Sequence, residues 1–265
     1  MAILSAMDEV TPDLARLRHL FVNLYLFGDA RGWVLIDAGL PGAADEIERA
    51  AEERFGPGNK PLAIILTHGH FDHVGALGTL PQKWDVPVYA HELELPYITG
   101  KLDYPPPDPS VGRGMMALMS FAYPNKGIDL GDRAQALPDD HSIPGMPGWR
   151  WVHTPGHTQG HVSLFRDQDR CLIAGDAFVT TRQESLYAVA TQEEVVHGPP
   201  AYFTPDWSAA RLSVKRLHEL APEIAATGHG RVMRGQEMRD GLAKLVEEFD
   251  IIGIPDQGRY VPKAG

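Results

Sequence analysis

The run Leu62-Ala63-Ile64-Ile65-Leu66 carries no polar side chain and passes directly into Thr67-His68-Gly69-His70-Phe71-Asp72-His73. A short, wholly apolar run behind Pro61 reads as a strand buried on both faces, which requires an α/β chain with its sheet covered. Whatever follows such a strand sits at the end of the sheet, so one loop there carries four side chains able to bind a metal. Neutral imidazoles and a carboxylate are ligands that zinc, iron and manganese accept. With His68 and His70 directed one way and Asp72 and His73 another, the loop offers a pair of ligands to each of two neighbouring metals. Gly69 and Gly75 relieve the backbone crowding of such a turn.

Three further ligand-type residues follow strand-like runs beside glycine. Thr154-Pro155-Gly156-His157-Thr158 follows a strand ending at His153, Gly175-Asp176 follows Cys171 to Ala174, and Gly228-His229-Gly230 follows a strand ending at Ala226. Ligands at the ends of several strands are how an α/β fold assembles one site. The rest of the chain interleaves strands and helices. Leu20 to Phe27 and Gly32 to Asp37 read as a hairpin, and Ala43 to Phe55 reads as a helix with Ile47, Ala50, Ala51 and Phe55 on its apolar face. Val86 to Ala90, Trp149 to His153 and Val162 to Arg166 read as strands, and Asp206 to Leu220 and Gln236 to Phe249 as helices.

An insert around 92–128 contains Pro105-Pro106-Pro107 and then Met115, Met116, Leu118, Met119, Phe121 and Tyr123. These form an apolar helix face that serves either as core, the favoured reading, or as the wall of an apolar substrate pocket. Residues 178–205 lack periodicity and read as a loop over the site, with Arg182, Tyr187, Tyr202 and Phe203 as candidate substrate contacts. No repeat, low-complexity tract or linker interrupts the chain, so a single domain over 1–265 is expected.

Among 265 residues, 43% hydrophobic content is enough to fill a large core, and the formal net charge is −11. Such acidity argues against nucleic acid and anionic membrane as partners, and no Lys or Arg cluster is placed to track a phosphate backbone. No stretch approaches the roughly 20 apolar residues of a membrane span. Met1 to Val10 lacks a basic leader region, and the single Cys171 makes no internal disulfide, so a cytoplasmic protein is expected. Cys171 itself reads as a small buried hydrophobe.

The His-x-His-x-Asp-His motif, followed by Thr-Pro-Gly-His-Thr-x-Gly-His, Gly-Asp and Gly-His-Gly, resembles the metallo-β-lactamase superfamily from about Leu20 to His229. The resemblance implies a four-layer αββα sandwich with a binuclear metal site at one edge of its two β-sheets. It places His68, His70 and His157 on the first metal and Asp72, His73 and His229 on the second, with Asp176 bridging. It also gives Asp72 the role of proton carrier. Asp37 resembles the family's buried aspartate that supports the metal loop, and His161 is expected behind the ligands or in the core. His19, His91, His141, His153, His197 and His218 are expected in ordinary surface or packing roles.

Within the superfamily, Asp176 matches the hydrolases resembling glyoxalase II and the lactonases. Too few residues follow His229 for the glutathione-binding domain of glyoxalase II, and Val179 stands where the quorum-quenching lactonases carry tyrosine. The nearest resemblance is to the uncharacterised metallo-hydrolases. The expected activity is hydrolysis of a small ester, lactone or thioester by a hydroxide bridging two divalent ions. Zinc is the expected metal, with iron or manganese as alternatives. A mononuclear iron persulfide dioxygenase using residues matching His68, His157 and Asp176 is the alternative activity. A phosphodiesterase or nuclease and a non-catalytic binding module rank below it. The expected partner is a small-molecule substrate, and a homodimer is possible on this reading.

Overall fold

The first seven strands form one sheet in chain order. β1 (Met7–Thr11), β2 (Leu14–His19), β3 (Val22–Asp29) and β4 (Gly32–Ile36) pair antiparallel, and β5 (Ala63–Ile65), β6 (Val88–Ala90) and β7 (Ala134–Ala136) add in parallel. This computed structural model describes residues 7–111, 114–191 and 193–262. Parts of three expectations therefore lie outside the described residues: 1–6 at the chain start, 112–113 in the insert, and 192 in the 178–205 segment. The chain groups into two compact units. One is Met1–Asp103 with Lys126–Trp149, and the other is Tyr104–Asn125 with Arg150–Gly265. The 92–128 insert is therefore shared between them.

In the first unit, helix α1 (Ala44–Phe55) buries Ile47, Ala50, Ala51 and Phe55, the face its 3.6-residue spacing defines. The Phe55 ring stacks on Trp33 of β4 at 4.7 Å, and each large side chain so buried contributes about 1.5–3 kcal/mol. The short helices α2 (Leu80–Trp84) and α3 (Leu95–Ile98) flank the same sheet's later strands. β3 and β4 close through Ala30-Arg31. The Asp29 carboxylate there accepts from the Arg31 backbone and guanidinium, and these bonds lower its pKa to about 2.

Several elements depart from the sequence reading, among them the segment 178–205 read as a loop, which holds a helix at Leu186–Thr191. Leu20 lies outside the hairpin strand, at φ 58° in the tight turn between β2 and β3. β1 and β2 themselves extend the sheet by two strands that the sequence does not announce. Arg16 hides its apolar stem in the sheet and turns its guanidinium to Asp8, so a charged residue occupies a buried strand position.

The second unit holds helix α4 (Met115–Met119), strands β8 (Trp149–His153), β9 (Val162–Arg166) and β10 (Cys171–Gly175), and helices α5 (Leu186–Thr191) and α6 (Trp207–Glu219). Strands β11 (Ile224–Thr227) and β12 (Met233–Arg234) and helix α7 (Gly235–Glu247) complete it. Its sheet runs β12-β11-β10-β9-β8, with β10 and β11 parallel and the pairs β9–β10 and β11–β12 antiparallel. Asp206 caps α6 by accepting the Ala209 N–H at 2.9 Å. Each unit is thus a mixed sheet flanked by helices. Among the described residues no helix is long and apolar enough to cross a membrane.

The Met-rich face is not core. Only Met116, Ala117 and Ser120 are buried in its helical turns, while Met115, Leu118 and Met119 are exposed and Phe121 is 74% exposed. Hydrophobic spacing identified the helical turns but not which side they turn to solvent. The approach to α4 is pinned by the chain end. Asp108 accepts from Ser110 N–H and Oγ–H and from the Arg259 N–H, and Tyr260 Oη–H donates to Pro106 O at 2.8 Å. Burial pushes the Asp108 carboxyl up, but the Ser110 and Arg259 donors outweigh it and hold the group below the ordinary value of 3.8. A depressed carboxyl stabilises above its unfolded pKa and loses that contribution only as pH falls through the folded one, so this clasp persists at neutral pH.

Gly75 sets the approach of the His-rich loop to the segment after β4. A Cβ there would lie 2.0 Å from the Leu40 carbonyl carbon and 2.1 Å from Pro41 N, while Gly75 N–H bonds to Gly39 O at 2.7 Å. Gly75→Ala is therefore expected to destabilise the fold by about 1–3 kcal/mol, read as a lower thermal midpoint. An unchanged midpoint would show that the contact is relaxed at no cost.

Candidate metal centre

β5 ends at Ile65, and the loop it delivers is held from behind by Asp37. This residue follows β4 at φ 59°, and its Oδ1 accepts the Thr67 N–H at 2.8 Å. Its Oδ2 accepts both the Thr67 hydroxyl and the ring N–H of His73, each at 2.8 Å. Since the Thr67 hydroxyl proton is committed to Asp37, its oxygen accepts from His68 Nδ1–H at 3.1 Å. One buried carboxylate thereby fixes two tautomers, making Nε2 the basic nitrogen of both His68 and His73.

The His68 ring centre lies 4.8 Å from that of His70 and 4.1 Å from that of His73. His70 O accepts the His73 N–H at 2.8 Å, a turn that folds the motif back on itself. Asp72 is buried beside them. The first unit therefore brings His68, His70, Asp72 and His73 together. Glu94 completes the support: fully buried, it accepts the Gly69 N–H at 3.0 Å, between His68 and His70. Burial, with the charge of Glu94 second, raises the Tyr97 hydroxyl above its usual range. Nothing in the sequence around Glu94 marks it, because an acid four residues past a short strand reads as surface.

The second unit gathers His157, Asp176 and His229. Asp176 Oδ2 lies 3.5 Å from His157 Nε2 and 3.2 Å from His229 Nε2, so one carboxylate oxygen faces two imidazoles. His157 is fixed as His68 is. Thr204 donates its hydroxyl proton to Pro200 O at 2.8 Å, so its oxygen accepts from His157 Nδ1–H at 3.2 Å. Gly156, at φ 134°, is packed so closely on α6 that a Cβ would lie 2.4 Å from Ala210 N. The Thr227 hydroxyl donates to His229 O at 2.7 Å, and Thr180 N–H donates to the same oxygen at 3.2 Å.

His161 lies behind these residues and is fully buried. Its Nε2 accepts the Asp176 N–H at 2.9 Å, so Nδ1 carries the proton and donates to Thr154 Oγ1 at 2.9 Å. The chain continues in one direction, from Thr154 to Ser163 Oγ at 3.0 Å and from Ser163 to Ala174 O at 2.9 Å. Among the other histidines, His19 pairs with Glu46, His91 accepts the Leu93 N–H at the start of a helical turn, and His153 bonds to Gln159 O. Thr204 and Ser163 were not marked by the sequence, and Thr154 stood out only as part of the motif around His157. Hydroxyl residues are common, and Thr204 acts on a histidine 47 positions away.

The profile of the metallo-beta-lactamase superfamily matches residues 17–229, and the chain belongs to that superfamily. Bacillus subtilis (strain 168) YflN, described as a probable metallo-hydrolase, is 48% identical over 233 residues, covering 87% of this chain and 88% of its own. The crystal structure of TTHA1623 in a di-iron-bound form is 27% identical, with a TM-score of 0.54 over 88% of this chain and 94% of that one. BLEG-1, a B3 metallo-beta-lactamase, matches with a TM-score of 0.59 over 92% of this chain and 97% of its own; at 21% identity it speaks for the fold alone. The chain has the metallo-β-lactamase fold and is a metallo-hydrolase of that superfamily. Its candidate metal-binding residues are His68, His70, Asp72, His73, His157, Asp176 and His229.

Asp37→Asn keeps the shape but cannot accept from three donors. It is expected to weaken metal binding about 10–100-fold, read by competition with a chromophoric chelator. Unchanged affinity would mean that the carboxylate does not orient the rings.

Proposed function

We propose that the two groups jointly hold two divalent ions and that the chain hydrolyses a small ester, lactone or thioester. The donor set fits such ions. Five imidazoles and two carboxylates suit zinc, iron or manganese, and the lone thiol, Cys171, is buried in β10. The TTHA1623 relative in its di-iron-bound form keeps iron open beside zinc. In this assignment His68, His70 and His157 would hold one ion and Asp72, His73 and His229 the other, with Asp176 available to either. The observation that carries the reading is the orientation of the rings: an oxygen behind each of His68, His73 and His157 accepts from Nδ1–H, which leaves Nε2 presented.

When bound, two such ions activate water near neutral pH and polarise a carbonyl oxygen. The residues do the rest. Asp72 receives the proton released by the attacking water and returns it to the departing oxygen or sulfur. Asp37, Thr67 and Thr204 keep the imidazoles aimed, each with Nε2 presented. Glu94 and His161 hold the two loops against rotation. The net charge of −11 favours a small-molecule substrate over a nucleic acid backbone.

Metal analysis of purified protein is expected to give about two ions per chain, together with turnover of aryl esters or lactones that chelation abolishes and added metal restores. His70→Ala and Asp176→Ala should both abolish turnover. Fewer than one metal per chain with no hydrolysis would overturn the reading. Oxygen consumption driven by a sulfur substrate would replace it with iron dioxygenase chemistry.

A further inference from the structure

Thr180 lies on the stretch that leaves Asp176, four residues past it, and neither composition nor spacing marks it. It is fully buried, as is Thr227, and buried hydroxyls are held by hydrogen bonds. Its Oγ1 lies 2.6 Å from Arg231 O, 2.8 Å from Thr227 Oγ1 and 3.2 Å from His229 O. Carbonyl oxygens only accept, and each threonine has one proton to give. With the Thr227 proton on His229 O at 2.7 Å, the Thr180 proton goes to Arg231 O, its shortest contact. The two hydroxyls thus fasten the carbonyls on either side of Gly230. The fit is close: a Cβ on Gly230 would lie 2.5 Å from Thr180 Oγ1.

The stretch is also held from its other side. Val179 N–H donates to His197 O at 3.0 Å, His197 N–H donates to Val179 O at 2.8 Å, and Thr180 O accepts the Val195 N–H at 3.3 Å. Toward the candidate ligands, Thr180 N–H meets His229 O at 3.2 Å and Gly228 N–H meets Gly175 O at 2.9 Å. The chain leaving β10 and the chain leaving β11 are therefore stitched together twice, at Gly175–Gly228 and at Thr180–His229. Asp176 lies between the two stitches on the first chain, and His229 lies at the second stitch on the other. Their facing atoms, Asp176 Oδ2 and His229 Nε2, are 3.2 Å apart. These bonds act on the main chain of His229, not on its ring.

We infer that Thr180 is a positioning residue: its hydroxyl sets the turn at Gly230 and with it the distance of His229 from Asp176, and so governs the affinity of the ion that His229 would hold. The ion assigned to His68, His70 and His157 does not depend on it. A small displacement suffices, because a ligand moved by about 0.5 Å loses much of its hold. The inference rests on the two-ion reading for its metal, but not for the geometry of Asp176 and His229.

The test is Thr180→Val, which keeps the branched shape and removes the hydroxyl, beside Thr180→Ser, which keeps the hydroxyl. Zinc titrated into metal-free protein against a chromophoric chelator should show one of two sites weakened about tenfold in Thr180→Val and the other unchanged, with both as in wild type in Thr180→Ser. In crystals of the metal-free proteins the separation of Asp176 Oδ2 and His229 Nε2 should widen by about 0.5 Å in Thr180→Val and stay at 3.2 Å in Thr180→Ser. Should Thr180→Val not fold, Thr180→Ala removes the same hydroxyl with less crowding and carries the same expectations. If wild-type protein takes up a single ion, the two-ion reading fails, and the metal-free separations still decide the role of Thr180. Two sites of unchanged affinity, two sites weakened alike, Thr180→Ser behaving as Thr180→Val, or an unchanged separation would each overturn the inference.

Discussion

Everything at the His-rich loop depends on one buried carboxylate. Asp37 sits where β4 ends, and burying a carboxylate is costly unless its oxygens are well bonded. It takes three donors, from Thr67 N, Thr67 Oγ1 and His73 Nδ1, and so compensates that cost with contacts that hold the next strand's loop in place. The same contacts choose the tautomers of His68 and His73. Strand order, loop position and ligand chemistry therefore meet in one side chain. Its left-handed backbone, rare outside glycine and tolerated by aspartate, is part of that placement.

The second unit reaches the same result by other means. A threonine whose proton is already committed to a carbonyl serves His157 as the acceptor that Thr67 serves for His68. His161 is used differently, as an acceptor for the backbone of Asp176, with its own proton passed down a one-way chain through Thr154 and Ser163. In both units rigidity comes from hydroxyl groups with a fixed direction of donation. Such positioning matters because a ligand displaced by about 0.5 Å or 10–20° loses much of its effect.

What the sequence made legible, and what it did not, follows from the range of each interaction. The grouping of the candidate metal motif was legible because it is local: six residues after an apolar strand carry the pattern. Helix α1 was legible for the same reason, since Ile47, Ala50, Ala51 and Phe55 mark one face without interruption. The acid Glu94 and the hydroxyls of Thr204 and Ser163 were not, because their meaning lies in a partner far along the chain. β1 and β2 were hidden by Asp8, Glu9, Arg16 and Arg18, charges that on this sheet accompany burial of the arginine stem rather than exclude it. The Met-rich turn failed in the opposite sense. Its composition suggested core, yet Met115, Leu118, Met119 and Phe121 face solvent, since periodicity reports an apolar face without saying what covers it.

Anomalous diffraction at the metal edge from crystals of metal-replete protein measures most directly whether the two groups share the ions. Two ions per chain are expected, one ligated by His68, His70 and His157, the other by Asp72, His73 and His229, with Asp176 touching both. Ions held by one group alone, with His157, Asp176 and His229 unligated at full metal loading, would contradict it.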